Sequence, residues 1–125
     1  MKKVINLSNG PKPLGPYSHA VMTGNILFVS GQIPMDPKTG KLYEGEIAGQ
    51  TKQVMENIQG VLNEAGMNFS NIVKSSVFLA DMNDFDIVNE TYAAYFSEDP
   101  PARECIQAAS FPKNARIEIS VIASQ

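Results

Sequence analysis

Residues 115–123 read ARIEISVIA, and the alternation within this run decides the architecture. Successive side chains of an extended chain point to opposite sides. Ile117, Ile119 and Val121 therefore share one face, and Glu118, Ser120 and Ile122 share the other. Both faces carry apolar groups. A strand of this kind belongs in a sheet that is covered twice, and if helices cover one face, a second copy of the chain is the simplest cover for the other. The expectation is a homo-oligomer whose subunit boundaries hold pockets.

Working outward gives this strand its neighbours. Immediately upstream, Phe111 to Ala115 forms a loop, and before it Arg103 to Ala108 reads as extended, because Pro100 and Pro101 close the preceding helix and disfavour a new one. The two extended runs suit a second hairpin or a neighbouring strand pair. Asp81 to Asn83 supply capping residues for a helix with Phe85, Val88, Tyr92, Tyr95 and Phe96 on one stripe, ending at Pro100. Ile72 to Leu79 is β-branched and aromatic, hence a strand.

From Ile47, the apolar positions Thr51 (through its methyl), Val54, Met55, Ile58, Val61, Leu62 and Ala65 recur at helical spacing, and Gly66 supplies a stop. Residues 31–46 read as loop, with Pro34, Pro37 and a Lys38-Thr39-Gly40 turn. Ala20-Val21-Met22 and Ile26 to Ser30, joined at Thr23-Gly24-Asn25, form a hairpin. Asn9 to Pro16 is a proline-rich turn segment, and Val4 to Leu7 is a short strand. The order β-β-β-α-β-α-β-β predicts an α+β two-layer sandwich: one mixed six-stranded sheet with both helices on a single face.

A chain of 125 residues has room for one core, so residues 1–125 are expected to form a single domain. Charged residues make up 18% of the chain, which agrees with surface covered by a partner copy. No apolar run approaches a membrane span and the N-terminal MKKVINLSNG has no signal-peptide core, so a cytoplasmic protein is expected. One cysteine and one histidine exclude a Cys/His zinc cluster and an internal disulfide. A carboxylate-only metal site is unmarked. Net charge is −3 with scattered basic residues, so no nucleic-acid footprint is visible, and no glycine spacing fits a phosphate loop.

Few residues remain to carry chemistry. Alternation sets Arg103, Cys105 and Gln107 on one side of their strand, with Glu104 and Ile106 on the other. A guanidinium there can grip a substrate carboxylate through two parallel N–H bonds, unless it is a solvated surface charge or half of a structural ion pair. Cys105 reads as a packed small hydrophobe, since a mid-strand position guarantees no base to activate a thiolate. Glu118, between isoleucines, is either on an exposed face or a half-buried carboxylate able to act as a general base. Ser18 and His19 point apart and cannot form a nucleophile and base pair, leaving His19 an ordinary polar surface or strand residue. Gly31 serves a turn or offers a backbone N–H, and Asn89 reads as a solvated helix residue or a ligand contact.

Five short runs now combine: Gly15-Pro16-Tyr17-Ser18-His19-Ala20, Ser30-Gly31-Gln32-Ile33-Pro34, Val88-Asn89-Glu90-Thr91-Tyr92, Pro101-Ala102-Arg103-Glu104-Cys105 and Ile117-Glu118-Ile119. In this order and spacing the chain resembles the RidA group of the Rid/YjgF family, the reactive-intermediate imine deaminases, from about residue 4 to residue 123. The resemblance implies a chorismate-mutase-like fold, a homotrimer with three pockets at subunit boundaries, and hydrolysis of 2-aminoacrylate and related 2-imino acids to 2-keto acids and ammonia without a cofactor or metal. It further implies that Arg103 holds the substrate carboxylate, that Glu118 positions the attacking water, and that Tyr17, Ser30, Gly31, Asn89 and Cys105 line the pocket.

Two features depart from that group. Glu104 stands where a small residue is usual, with Lys113 or Arg116 as candidate partners, and the segment between Phe96 and Pro101 is short. A non-enzymatic ligand-binding or chaperone-like trimer is the competing reading. The translation-inhibitor or ribonuclease label sometimes given to the family gains little from so acidic a chain.

Overall fold

In the computed structural model, which describes residues 1–7 and 12–125, the chain forms β1 (Lys2–Ile5), β2 (Ala20–Thr23), β3 (Ile26–Gln32), α1 (Ile47–Glu64), β4 (Ile72–Leu79), α2 (Phe85–Ala93), β5 (Ala102–Gln107) and β6 (Ile117–Ser124). Part of the expected turn segment, Asn9 to Pro11, lies outside the described residues. The strands make one mixed sheet in the order β1-β2-β3-β6-β4-β5, antiparallel throughout except for the parallel pair β4 and β5. Element order, fold class and the placement of both helices on one face follow the sequence reading.

The second hairpin does not form. β5 pairs with β4, not with β6, and β6 is inserted between β3 and β4. The reason is the helix between β4 and β5: parallel strands need a crossover, and α2 provides it. The first strand also sits two residues earlier than the apolar run Val4 to Leu7 suggested, in register with β2 from Lys2↔Thr23 to Ile5↔Ala20.

α1 buries Val54, Met55, Ile58, Val61 and Leu62 completely against Leu27, Val77, Ile117, Ile119 and Ala123 of the sheet. Each such aliphatic side chain contributes about 1.5–3 kcal/mol relative to exposure. The helix stops at Gly66, whose φ of 73° lets its N–H reach Asn63 O while the Met67 N–H reaches Leu62 O. α2 ends earlier than its stripe implied. The N–H groups of Ala94, Tyr95 and Phe96 each bond three residues back, which tightens the chain and turns Tyr95 and Phe96 onto Phe69, with ring centroids 5.1 and 5.9 Å apart.

Pairing registers assign the faces. Ile5, Ala20, Val29, Val121, Ser75 and Arg103 form one row on the helix-covered side. The adjacent row of Val4, Val21, Phe28, Ile122 and Lys74 lies on the open side, where Phe28 and Val4 are 46% and 48% exposed.

Candidate functional site

Arg103 leaves β5 on the helix side, as does Cys105, because their register partners on β4, Ser75 and Val77, are both fully buried there. α2 supplies the surroundings. The Arg103 Nη1 donates to Asn89 Oδ1 at 2.7 Å, and the guanidinium carbon lies 5.1 Å from the Tyr92 ring centroid and 5.8 Å from that of Phe85. Two aromatic faces stabilise a cation without neutralising it.

Tyr92 is itself pinned, its hydroxyl donating to the buried Ser75 Oγ at 2.9 Å, and burial pushes its pKa up. Among the described residues no carboxylate pairs with Arg103. Its head keeps hydrogen-bonding capacity for an anion. Cys105 is partly buried beside it, and desolvation raises the thiol pKa against a smaller opposing pull from Arg103, so the sulfur is held as a thiol.

Of the other expected residues, Glu118 lies on the far side of the sheet, at the end of β3 that holds Ser30 and Gly31. Glu118 pairs in register with Phe78 on the open face, flanked along β6 by the fully buried Ile117 and Ile119. Its carboxyl group stands directly over Gly31: a Cβ built at that glycine would lie 2.7 Å from Glu118 Oε2 and 2.8 Å from Cδ. A side chain added there would displace the Glu118 carboxyl from its present position. Partial burial raises the Glu118 pKa, and among the described residues no cation pairs with it.

Ser30 holds the neighbouring loop. Its hydroxyl donates to Ser18 O at 2.7 Å and its N–H to His19 O at 2.9 Å, fixing the segment that carries the half-exposed Tyr17. Tyr17 and Gly31 share the wall of a cavity of about 310 Å³ that continues past Leu14, Ile33 and Met35 to α1. The expected residues thus form two groups: Arg103, Asn89 and Cys105 at the α2 side, and Tyr17, Ser30, Gly31 and Glu118 around the end of β3. Within one chain the sheet separates Arg103 from Glu118.

Three details differ from the sequence reading. His19 is buried rather than a surface residue: its Nδ1 accepts from the Leu7 N–H and its own N–H donates to Asn6 Oδ1, both at 2.9 Å. It clips the chain after β1 to the start of β2. Glu104 finds Lys74 Nζ at 3.0 Å and the Ser76 hydroxyl, instead of Lys113 or Arg116, because it lies on the open face beside its register partner Ser76. These contacts, the Ser76 hydroxyl foremost, lower its pKa and leave it turned away from Arg103.

The third detail is the role of α2. Asn89 is not simply a solvated helix residue, and the aromatic seat beneath Arg103 was legible only as an apolar stripe. The spacing Phe85, Asn89, Tyr92 carried the signal, since these residues share a helix face. Among the described residues no group of three His, Cys, Asp or Glu could hold a metal ion, and no helix is long and apolar enough to cross a membrane.

Residues 7–125 match the family described as endoribonuclease L-PSP. The solved structure of a Rid family protein of unknown function from Yersinia pestis matches with a TM-score of 0.96 at 44% identity, over 100% of both chains. The chain belongs to the Rid family. A RutC family protein of Pyrococcus horikoshii is 51% identical over 123 residues, 98% of each chain. The human protein named 2-iminobutanoate/2-iminopropanoate deaminase is 45% identical over 125 residues, covering 100% of this chain and 91% of the human one. Rid family relatives thus carry both activity names and purely familial ones.

Proposed function

We propose that this protein is an imine deaminase that hydrolyses small 2-imino acids, such as those derived from 2-aminoacrylate and 2-iminobutanoate, to 2-keto acids and ammonia. The sites are completed between copies of the chain in a homotrimer, Arg103, Asn89 and Cys105 of one copy meeting Tyr17, Ser30, Gly31 and Glu118 of its neighbour. The observation that carries this reading is the unmatched pair of heads: an uncompensated guanidinium on one face of the sheet and an uncompensated, half-buried carboxylate on the other. The apolar open face, with Phe28, Ile106 and Val4 half-exposed, supports cover by a second copy. The deaminase names of mammalian relatives at 44–47% identity support the reaction.

The chemistry asks little of the protein. The substrate carboxylate bonds the Arg103 guanidinium, which turns the C=N carbon toward the opposite wall. A protonated imine is already electrophilic, so water attacks C2 while Glu118 takes one of its protons. The resulting C2 carries OH and NH2. Glu118 returns the proton to nitrogen, the C–N bond breaks, ammonia leaves and the hydroxyl collapses to the carbonyl, its proton leaving to solvent. A carboxyl pKa raised by desolvation suits both halves of this exchange.

Two measurements test the proposal. The protein is added to a dehydratase turning over serine or threonine with semicarbazide as competitor: faster keto acid release with less semicarbazone is expected, and unchanged semicarbazone rejects the activity. Arg103→Ala and Glu118→Gln variants are then unfolded together and reassembled. Mixed assemblies regain activity if the halves come from different copies, and stay inactive if one chain supplies both.

A further inference from the structure

Arg116 and Asp84 belong to neither group of expected site residues, yet they join the elements that carry them. The Arg116 Nη2 donates to both Asp84 carboxylate oxygens, at 3.1 and 3.0 Å. The Asp84 side chain is only 13% exposed, so its charge is largely withdrawn from water and depends on this guanidinium. Two ion pairs occur among the described residues; Lys74–Glu104 stays between β4 and β5, whereas Asp84–Arg116 runs from the start of α2 to the start of β6.

Asp84 directly precedes α2, the helix whose Phe85, Asn89 and Tyr92 surround the Arg103 guanidinium. Arg116 stands two residues before Glu118. Its main chain is held independently: the N–H donates to Oε1 of the buried Gln50 at 3.2 Å, and the carbonyl accepts from the Ala80 N–H at 3.0 Å. The root of this side chain is thus fixed at α1 and at the end of β4, while its half-exposed guanidinium reaches out, among the described residues, to the two Asp84 oxygens alone. It therefore indexes the first turn of α2 to the strand that bears Glu118.

We propose that Asp84 and Arg116 are positioning residues for the substrate anchor: by pinning the start of α2 they set where Asn89 and the two rings hold Arg103, and so how far its guanidinium reaches toward a carboxylate. This rests on the deaminase reading above. Neither residue takes part in proton transfer, so their loss falls on carboxylate binding and spares the chemical step.

The test compares Arg116→Ala, Asp84→Asn and Arg116→Lys with the unmodified protein, measuring kcat and KM for the imine and, by calorimetry, Kd for 2-ketobutanoate. Arg116→Ala and Asp84→Asn raise KM and Kd together by about fivefold to tenfold while kcat stays within about twofold. Arg116→Lys keeps a cation that can meet Asp84 from one nitrogen, as Nη2 does, and recovers part of that loss. The acid limb of the pH profile of kcat/KM stays where it is in all three. If Arg116→Ala does not fold, the other two variants carry the test.

Unchanged KM and Kd overturn the proposal, and so does a fall in kcat that tracks the loss of folded protein, the mark of a purely structural pair. If the unmodified protein neither hydrolyses the imine nor binds the keto acid, the deaminase reading fails and takes this one with it. If it does both and the variants match it, this proposal falls alone.

Discussion

On the helix-covered face Ile117, Ile119 and Ala123 of β6 have almost no accessible surface, whereas Glu118, Ser120 and Ile122, one residue along the same strand, remain partly open. The same difference separates the two charged candidates. Arg103 lies on the covered side, seated on Tyr92 and Phe85 with a neutral amide as its partner; Glu118 lies on the open side, over a glycine and without a cation. Opposite charges within about 4 Å of each other attract strongly when partly buried. A chain that kept both heads in one pocket would satisfy them with each other. Placing them on opposite faces of one sheet keeps each available until another surface arrives.

That contrast can be broken from either side. Glu118→Gln is expected to have the largest effect, lowering kcat on the order of a thousandfold through loss of the proposed base, read from keto acid release. The same variant separates activity from stability. A carboxyl whose folded pKa is raised favours the native state below its unfolded pKa and loses that contribution as pH rises through the folded value. At pH 7 the neutral amide therefore raises Tm while activity is lost; a lowered Tm would mean that the charged form is compensated by a partner. In the unmodified protein, kcat/KM falls on the acid side at a pH above that of an ordinary glutamate, and this limb vanishes in the variant.

Arg103→Ala comes next, with kcat/KM reduced about a hundredfold or more, roughly 3 kcal/mol, as anchor and orientation are lost together. Full activity in this variant would remove Arg103 from the site. The faces themselves are compared by Ile119→Ala and Ile122→Ala. The first opens a cavity in a closed core and costs about 2 kcal/mol or more in urea unfolding. The second costs less, and its effect is expected to depend on protein concentration, because in the proposed assembly Ile122 lies on the face that a second copy covers. Equal, concentration-independent losses would argue against a covered open face. Cys105→Ser should be mildest, with activity within about threefold of the unmodified protein; inactivation would restore a nucleophilic thiol.

The fold was legible wherever side-chain periodicity spoke alone. The steps of three and four from Thr51 to Ala65 gave α1, and the alternation of residues 117–123 gave both faces of β6. The partner of β5 was not legible, because alternation fixes faces without saying which strand lies alongside; the crossover through α2 decided it. Spacing likewise put Arg103 and Cys105 on one side, but the separation of Arg103 from Glu118 depends on the strand order and registers that link β5 through β4 to β6. His19 read as a polar surface or strand residue because a buried imidazole and an exposed one look alike until the Leu7 N–H that bonds it is in place. Gly31 read as a turn residue, whereas it lies within β3 at a register shift beside the Glu118 carboxyl, a neighbour that periodicity could not reveal.

β6 lies between β3 and β4, so the two parts of the sheet share no edge until residues 117–124 are inserted. During synthesis the N-terminal hairpin and the β4-α2-β5 unit must wait, edges unpaired, for a segment that leaves the ribosome after both. Chains stalled before residue 117 would expose two sticky borders at once, which makes them natural clients for chaperones and poor candidates for partial folding.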